Sequence, residues 1–325
     1  MSTVWAIVVT HNRREMLRKC LAALAGQTRA PDRVLIVDNA STDDTAAMVA
    51  RDHPGVELLG LAENEGGAGG FHEGMRRAHA GGAEWMWLMD DDTIARPEAL
   101  AELLAAPGRL AGPEPPALLA SRVVWRDGRL HPMNFPSPER ARMDRIVDGA
   151  RRGLMPLRFA TFVSLLVHRG AVDRYGLPLK HFFIWSDDVE YTSRVVLSGE
   201  CAYLVPTSVV LHDTATAHTW HSAPPERFYY HVRNTLYMIR GAGRPRQDRL
   251  LRAWVLVSST VDYLRGNPSR AAVTAVIRGL RDGLRPVPQP RPGAVAPAPP
   301  RRRLRPSGRQ TTDAPAGRGR RRSGA

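Results

Sequence analysis

Short, β-branched apolar runs at Val4 to Val9 and Val34 to Val37 flank a stretch, Arg14 to Leu24, in which Leu17, Leu21 and Leu24 recur at helical spacing. The same alternation continues. A helical stretch over Asp43 to Arg51 leads to Val56-Glu57-Leu58-Leu59, and another over Gly70 to His79 leads to Trp85-Met86-Trp87-Leu88-Met89. Strand and helix in turn predict an α/β fold, a mostly parallel Rossmann-like sheet with crossover helices on its faces. Further on, the pattern predicts a helix over Pro97 to Leu104 and strands over Ala117 to Trp125 and Phe159 to His168. A turn from Phe182 enters a helix that begins near Tyr191 and ends by Ser198. Two amphipathic helices, Arg249 to Tyr263 and Arg270 to Leu284, are joined by Gly266-Asn267-Pro268.

Polar clusters close the predicted strands: Thr10-His11-Asn12-Arg13, Asp38-Asn39-Ala40-Ser41, Asn64 to Gly70, and Asp90-Asp91-Asp92. In a parallel sheet ligands sit beyond the carboxyl ends of the strands, so these clusters converge on one crevice. Three adjacent carboxylates raise one another's pKa unless a cation is present, and a hard divalent ion removes that penalty. Such an ion can also bridge a departing diphosphate. The competing reading of Asp92 is a cap for the helix that follows. Asp38 can accept hydrogen bonds from a base or ribose, or make an Asx turn. The glycines of Asn64 to Phe71, Gly67 among them, allow backbone amides to approach phosphate, or form a plain flexible loop. The GxGxxG fingerprint fails, because counting from Gly67 its last position is His72, which disfavours a nicotinamide dehydrogenase.

Charge and cysteine content narrow the class. The net charge is +14, but Arg291 to Ala325 holds ten Arg against Asp313 alone, which leaves +5 for the rest of the chain. That Pro- and Arg-rich tail has too few apolar groups to order itself, and the pattern predicts disorder there. Cys20 and Cys201 lack CxxC spacing and read as small core residues in a reducing cytosol. No basic n-region precedes Val4, and no apolar run approaches the length of a bilayer span, so a cytoplasmic protein is predicted, at most peripheral at the inner face of the plasma membrane. His218 and His221 lack the further ligands of a zinc site.

Taken together, Val-Val-Thr-His-Asn-Arg at the start, Val-Asp-Asn-Ala-Ser from Val37, and the spaced Asp triplet resemble the family-two glycosyltransferases of GT-A fold. Asn64 through Phe71 and Phe183-Ile184-Trp185-Ser186-Asp187-Asp188-Val189-Glu190 look like the galactofuranosyltransferases of actinobacterial cell-wall synthesis, with rhamnosyltransferases a looser match. The resemblance covers about Val4 to Arg240. It implies a uridine pocket near Thr10, Arg13, Asp38 and Asn64, and Mn²⁺ or Mg²⁺ held by Asp90 and Asp92, with His212 completing the shell and Asp91 meeting the donor ribose or sugar. It further implies that the donor is UDP-galactofuranose, or dTDP-rhamnose, and the acceptor a glycan or lipid-linked glycan. An inverting transfer needs a base opposite the leaving group, and by motif Asp188 is that base. Asp187 and Glu190 would orient acceptor hydroxyls while Trp185 stacks on a sugar face. One departure is Ser186, which separates Trp185 from the acidic pair where close relatives place Trp directly beside it.

Arg233 lies in a run of donors and aromatics and could clamp a phosphate. The division expected is a donor-binding half over residues 1–106, an acceptor-binding half over 107–245, C-terminal helices over 246–285, and the tail over 286–325. Two rival readings stay open: a divalent-metal phosphohydrolase or nucleotidyltransferase using the same triplet, and a protein whose basic tail binds a polyanion or an anionic membrane surface, with no specific nucleic acid.

Overall fold

A computed structural model describes residues 2–110, 114–140, 142–216, 223–241 and 243–286. The first half alternates as its periodicity requires: β1 (Val4–Thr10), α1 (Arg14–Ala25), β2 (Arg33–Asp38), α2 (Thr45–Asp52), β3 (Glu57–Gly60), α3 (Gly66–Ala80) and β4 (Trp85–Asp90). Then come β5 (Thr93–Ala95), α4 (Ala99–Ala105), β6 (Leu118–Val124), β7 (Ser137–Pro138), α5 (Met143–Arg151), β8 (Met155–Phe159), β9 (Leu165–His168), α6 (Arg169–Tyr175), α7 (Asp187–Leu197) and β10 (Ala202–His212). Three helices, α8 (Pro225–Arg240), α9 (Arg246–Gly266) and α10 (Arg270–Gly283), close the described chain.

One mixed sheet runs in the order β3-β2-β1-β4-β9-β6-β10-β8-β7, with β5 pairing β10. Parallel pairing of β1 with β2 and β4 sets Thr10 beside Asp38 and Val9 beside Asp90, so three polar strand ends share one edge of the sheet. All seven residues of β1 are buried, because helices cover both of its faces. On one face Leu17, Cys20, Leu21 and Leu24 of α1 pack with Val4, Ala6 and Val8. On the other, Phe71 and Met75 of α3 pack with Trp5, Ile7 and Val9. The glycines of α3 set that distance: a Cβ on Gly70 or Gly74 would stand 2.5 Å from a methyl of Val9 or Ile7.

The structure departs from the periodicity in three places. First, α3 starts at Gly66, not Gly70, so the glycine run is its first turn and not a loop. Second, the apolar stretch Phe159 to His168 is not one strand: β8 ends at Phe159 and β9 begins at Leu165, Ser164 has φ +60, and both backbone groups of Ala160 bond to the Thr192 hydroxyl of α7 at 3.1 Å instead of to a neighbouring strand. Third, α7 begins at Asp187 instead of near Tyr191, so both acidic residues are in its first turn.

The C-terminal helices behave as their patterns require. Ser269 caps α10, its hydroxyl accepting from the Ala272 amide at 3.1 Å, just after Pro268 stops the preceding helix. Phe228, Val232, Leu256, Tyr263, Ala272 and Val276 form their common core, with Phe228 and Tyr263 stacked at 3.7 Å. Cys20 is buried and Cys201 partly so, and both are free thiols. His218, His221 and residues 287–325 lie outside the described residues.

Candidate functional site

Asp90 ends β4, and the chain turns through Asp91 and Asp92 into β5. That three-residue strand pairs antiparallel with the end of β10, setting Thr93 opposite His212, and the Asp213 amide donates to the Asp92 carbonyl at 2.8 Å. Asp92 therefore caps no helix. The pairing instead carries His212 back to the triplet across the sheet. Asp90, Asp92 and His212 each offer one ligand atom, and these atoms lie within 4.8 Å of one another.

Arg13 donates 2.9 Å bonds to both Asp91 and Asp92, while the Thr10 hydroxyl donates to Asp91 at 2.8 Å. Burial pushes Asp91 up to about 6 even with Arg13 beside it. Burial also works to raise Asp92, but His212, when Nε2 carries a proton, and Arg13 outweigh it and hold that carboxyl at about 2. Asp90 is driven well above the carboxylate range by burial, then by Asp92, Asp91 and Asp188, which the weaker pull of Arg13 does not offset.

The donor set fits a divalent ion. Asp92 Oδ1 is buried without a hydrogen-bond partner, although His212 Nε2 lies 3.2 Å away. His212 Nδ1 lies 2.8 Å from Asn134 Oδ1, and the Asn134 amide nitrogen donates to Thr161 at 3.0 Å. Asn134 Oδ1 can only accept, so it places a proton on Nδ1 and turns the Nε2 lone pair toward the two carboxylates. An ion and an Nε2 proton would then compete for one place. Asn134→Ala should weaken Mn²⁺ binding by about tenfold or more, read by Mn²⁺ electron paramagnetic resonance on the purified protein; unchanged affinity would leave Asn134 without an orienting role. Asn134 left no mark in the sequence.

The second acidic group comes from a strained segment. Phe183, Trp185 and Ser186 have φ of +63, +66 and +66, a backbone region costly for residues with side chains. Ser186 is thus the left-handed residue immediately before α7. Three contacts hold the segment. The Asn234 amide shares its two hydrogens among the carbonyls of Phe182, Ile184 and Trp185 at 2.9, 3.0 and 2.7 Å; the Ala68 amide donates to the Phe183 carbonyl at 3.0 Å; and the Phe183 ring stacks on Tyr230. At Gly66, with φ +71, a Cβ would collide with that same Phe183 carbonyl. Gly66→Ala should cost about 2 kcal/mol or more, measured from the urea midpoint; a shift of a few tenths would show the loop yields freely.

Asp187 and Asp188 follow this segment in the first turn of α7, near enough to Asp90 for their charges to act on one another. Burial raises Asp187 strongly, with Asp188 and Asp90 adding to it. Asp188 is raised to about 6 by burial, against the Val189 amide that donates to it at 2.7 Å. Glu190 lies apart: it is ion-paired with Arg194 at 3.0 Å and Arg244 at 3.7 Å. Arg233 also differs from its expected use. Its guanidinium donates to the carbonyls of His181 and Phe182 at 2.7 and 2.9 Å and lies over the Tyr230 ring, bracing the strained segment. Trp185 is half-buried with its edge toward His231.

Beyond the other strand ends, Asp38 is buried and accepts from the Ser41 amide at 3.0 Å, and exposed Asn64 accepts from the Gly66 amide at 2.9 Å. Gly67 has open space around it in the first turn of α3. Asn39 ties these pieces together, donating to the Gly66 carbonyl and accepting from the Glu65 amide, both at 2.8 Å. Its place in the Asp38 turn made it visible only as a turn residue.

Fold and site together define a glycosyltransferase of GT-A fold. The chain belongs to glycosyl transferase family 2, whose family model matches residues 5–130. It is 31% identical over 291 residues to galactofuranosyltransferase GlfT1 of Mycolicibacterium smegmatis, covering 80% of this chain and 91% of that one. With the N-acetylglucosaminyl-diphospho-decaprenol L-rhamnosyltransferase of Mycobacterium tuberculosis it shares 25% identity over 256 residues, 70% of this chain and 81% of the relative. The fold matches the crystal structure of Staphylococcus aureus TarS 1-349 in complex with UDP-GlcNAc, with a TM-score of 0.58 and 18% identity over 87% of this chain and 80% of that one. The hydrolase and nucleotidyltransferase readings give way to glycosyl transfer.

Proposed function

We propose that this glycosyltransferase moves galactofuranose from UDP-galactofuranose to a hydroxyl of a glycan or lipid-linked glycan, with inversion at the anomeric carbon. What supports the mechanism is that Asp90 lies near enough to Asp187 and Asp188 for the buried carboxylates to raise one another's pKa. Asp188 takes the proton of the acceptor hydroxyl as that oxygen bonds to the anomeric carbon, and the bond to the nucleoside diphosphate breaks on the opposite face. Asp90, Asp92 and His212 would hold Mn²⁺ or Mg²⁺, which supplies charge to stabilise the departing diphosphate. Thr10 and Arg13 hold Asp91 toward the donor. Asp187 faces the acceptor beside Trp185.

Support for the donor sugar is the identity to GlfT1 along nearly the whole of that relative. The second reading, rhamnose from dTDP-rhamnose, rests on the weaker rhamnosyltransferase match. That relative's name gives it a decaprenyl diphosphate-linked acceptor, which favours a lipid-linked glycan here and work at a membrane surface. The test offers the purified chain each donor separately with Mn²⁺ and a polyprenyl diphosphate-linked glycan, and weighs the product. Galactofuranosyl product alone supports the reading; rhamnosyl product alone overturns it in favour of the second.

A further inference from the structure

Helices α9 and α10 each carry apolar side chains on two faces. One face is buried against α8 through Leu256, Tyr263, Ala272 and Val276. The other is turned to solvent. On α9, Leu250, Trp254, Val257 and Val261 recur at steps of four, three and four, and on α10 Val273, Ile277 and Leu280, with Leu284 just past its end, repeat those steps. That spacing lines each set into one narrow stripe. All eight are exposed, Trp254 at 67% and Ile277 at 59%. Isolated surface hydrophobics need no explanation, but aligned ones of this size mark a contact.

Charge says what kind of contact. Residues 246–285 hold eight Arg against Asp248, Asp262 and Asp282. Asp248 is taken by Arg244 and Arg252, and Asp282 by Arg281 and Arg285. Among the described residues, Arg246, Arg249, Arg265, Arg270 and Arg278 have no carboxylate within 4.0 Å. The sequence beyond adds the ten Arg between Arg291 and Ala325.

The geometry points to this face as a docking surface for an anionic lipid bilayer. Apolar stripes set among unpaired arginines match the boundary between acyl chains and acidic headgroups. A second copy meeting this face would set one group of unpaired arginines against another. A nucleic acid would satisfy the arginines and leave Trp254 and Ile277 in water. No helix among the described residues is long and apolar enough to cross a membrane, so the contact lies on the surface. The inner side of α9 reaches the helix that carries Asp188: Arg252 donates to the Ser193 hydroxyl of α7 at 3.2 Å. The proposal rests on the lipid-linked acceptor reading for its purpose, but its test needs no transfer.

The full chain is floated with phosphatidylcholine vesicles and with vesicles holding about one third phosphatidylglycerol. It should rise with the acidic vesicles and stay largely soluble with the neutral ones. Trp254→Ser combined with Ile277→Ser should lower partition roughly tenfold or more, while a full-length variant with its tail arginines changed to Ser keeps part of the binding. Both variants should retain the wild-type melting temperature and Mn²⁺-dependent UDP binding; if the first melts early, Leu250→Ser with Val257→Ser replaces it. Wild-type flotation by the apolar variant, or loss of all binding in the tail variant, assigns the contact to the tail and overturns the proposal. So does a wild-type chain that stays soluble, or a dimer that the apolar substitutions dissociate with no change in flotation. Failure of sugar transfer with intact flotation would count against the acceptor reading and leave the docking face standing.

Discussion

Asp188→Asn lowers the rate of sugar transfer by about a thousandfold while UDP binding stays within a few-fold of wild type. The substitution keeps the shape of the side chain and removes the proton acceptor. Asp188 sits in the first turn of α7, beyond a segment fixed by Asn234, and it is not one of the groups that cluster around His212. Its loss should therefore appear in turnover and spare donor affinity. Burial raises its pKa to about 6, which sets the sign of the pH dependence. The base acts ionised, so kcat/KM should fall about tenfold per unit of pH below 6 and level off above it, and the residual activity of the Asn variant should lack that limb. Single-turnover rates between pH 5 and 8 check both statements. Residual transfer within tenfold of wild type would move the base to another residue.

Asp92→Asn has a different signature. It removes a negative ligand whose buried Oδ1 has no hydrogen-bond partner and whose other oxygen holds Arg13. Mn²⁺-dependent UDP affinity should drop roughly a hundredfold or more, beyond the loss expected of a residue that only orients a ligand. The metal-free protein should keep its fold, because the amide oxygen can still accept from Arg13. Isothermal titration with and without Mn²⁺, beside thermal melts, separates the two. Wild type should melt higher when Mn²⁺ is added and the variant should not. Equal stabilisation of both would exclude Asp92 as a ligand.

These contrasts follow from how much of the site was legible along the chain. The triplet was readable because it ends an apolar strand, where a charged cluster is anchored and close to a ligand crevice. Asp188 and His212 entered through motif resemblance; the structure sets a ligand atom of His212 within 4.8 Å of those of Asp90 and Asp92, and Asp188 near enough to raise the pKa of Asp90. Glu190, in the same motif as Asp188, and Arg233, in a run of donors and aromatics, face elsewhere, because each found a nearer partner: Arg194 and Arg244 for the one, the carbonyls of His181 and Phe182 for the other. Competition between partners is settled by distances in space, which residue type and spacing do not encode.

By itself the sequence determined the alternating sheet, the polar ends of its strands and the two amphipathic C-terminal helices with their break at Pro268. All of these are local, since hydrophobic period, capping residues and turn chemistry act within a few residues. The tertiary structure alone decided three things. A three-residue strand, β5, too short to show a period, brings His212 to Asp92 by pairing with β10. Asn134 orients that histidine from a loop. The left-handed backbone before α7 aims Asp187 and Asp188, and it persists because Gly66 and Asn234, far away in the chain, hold it where no local preference would.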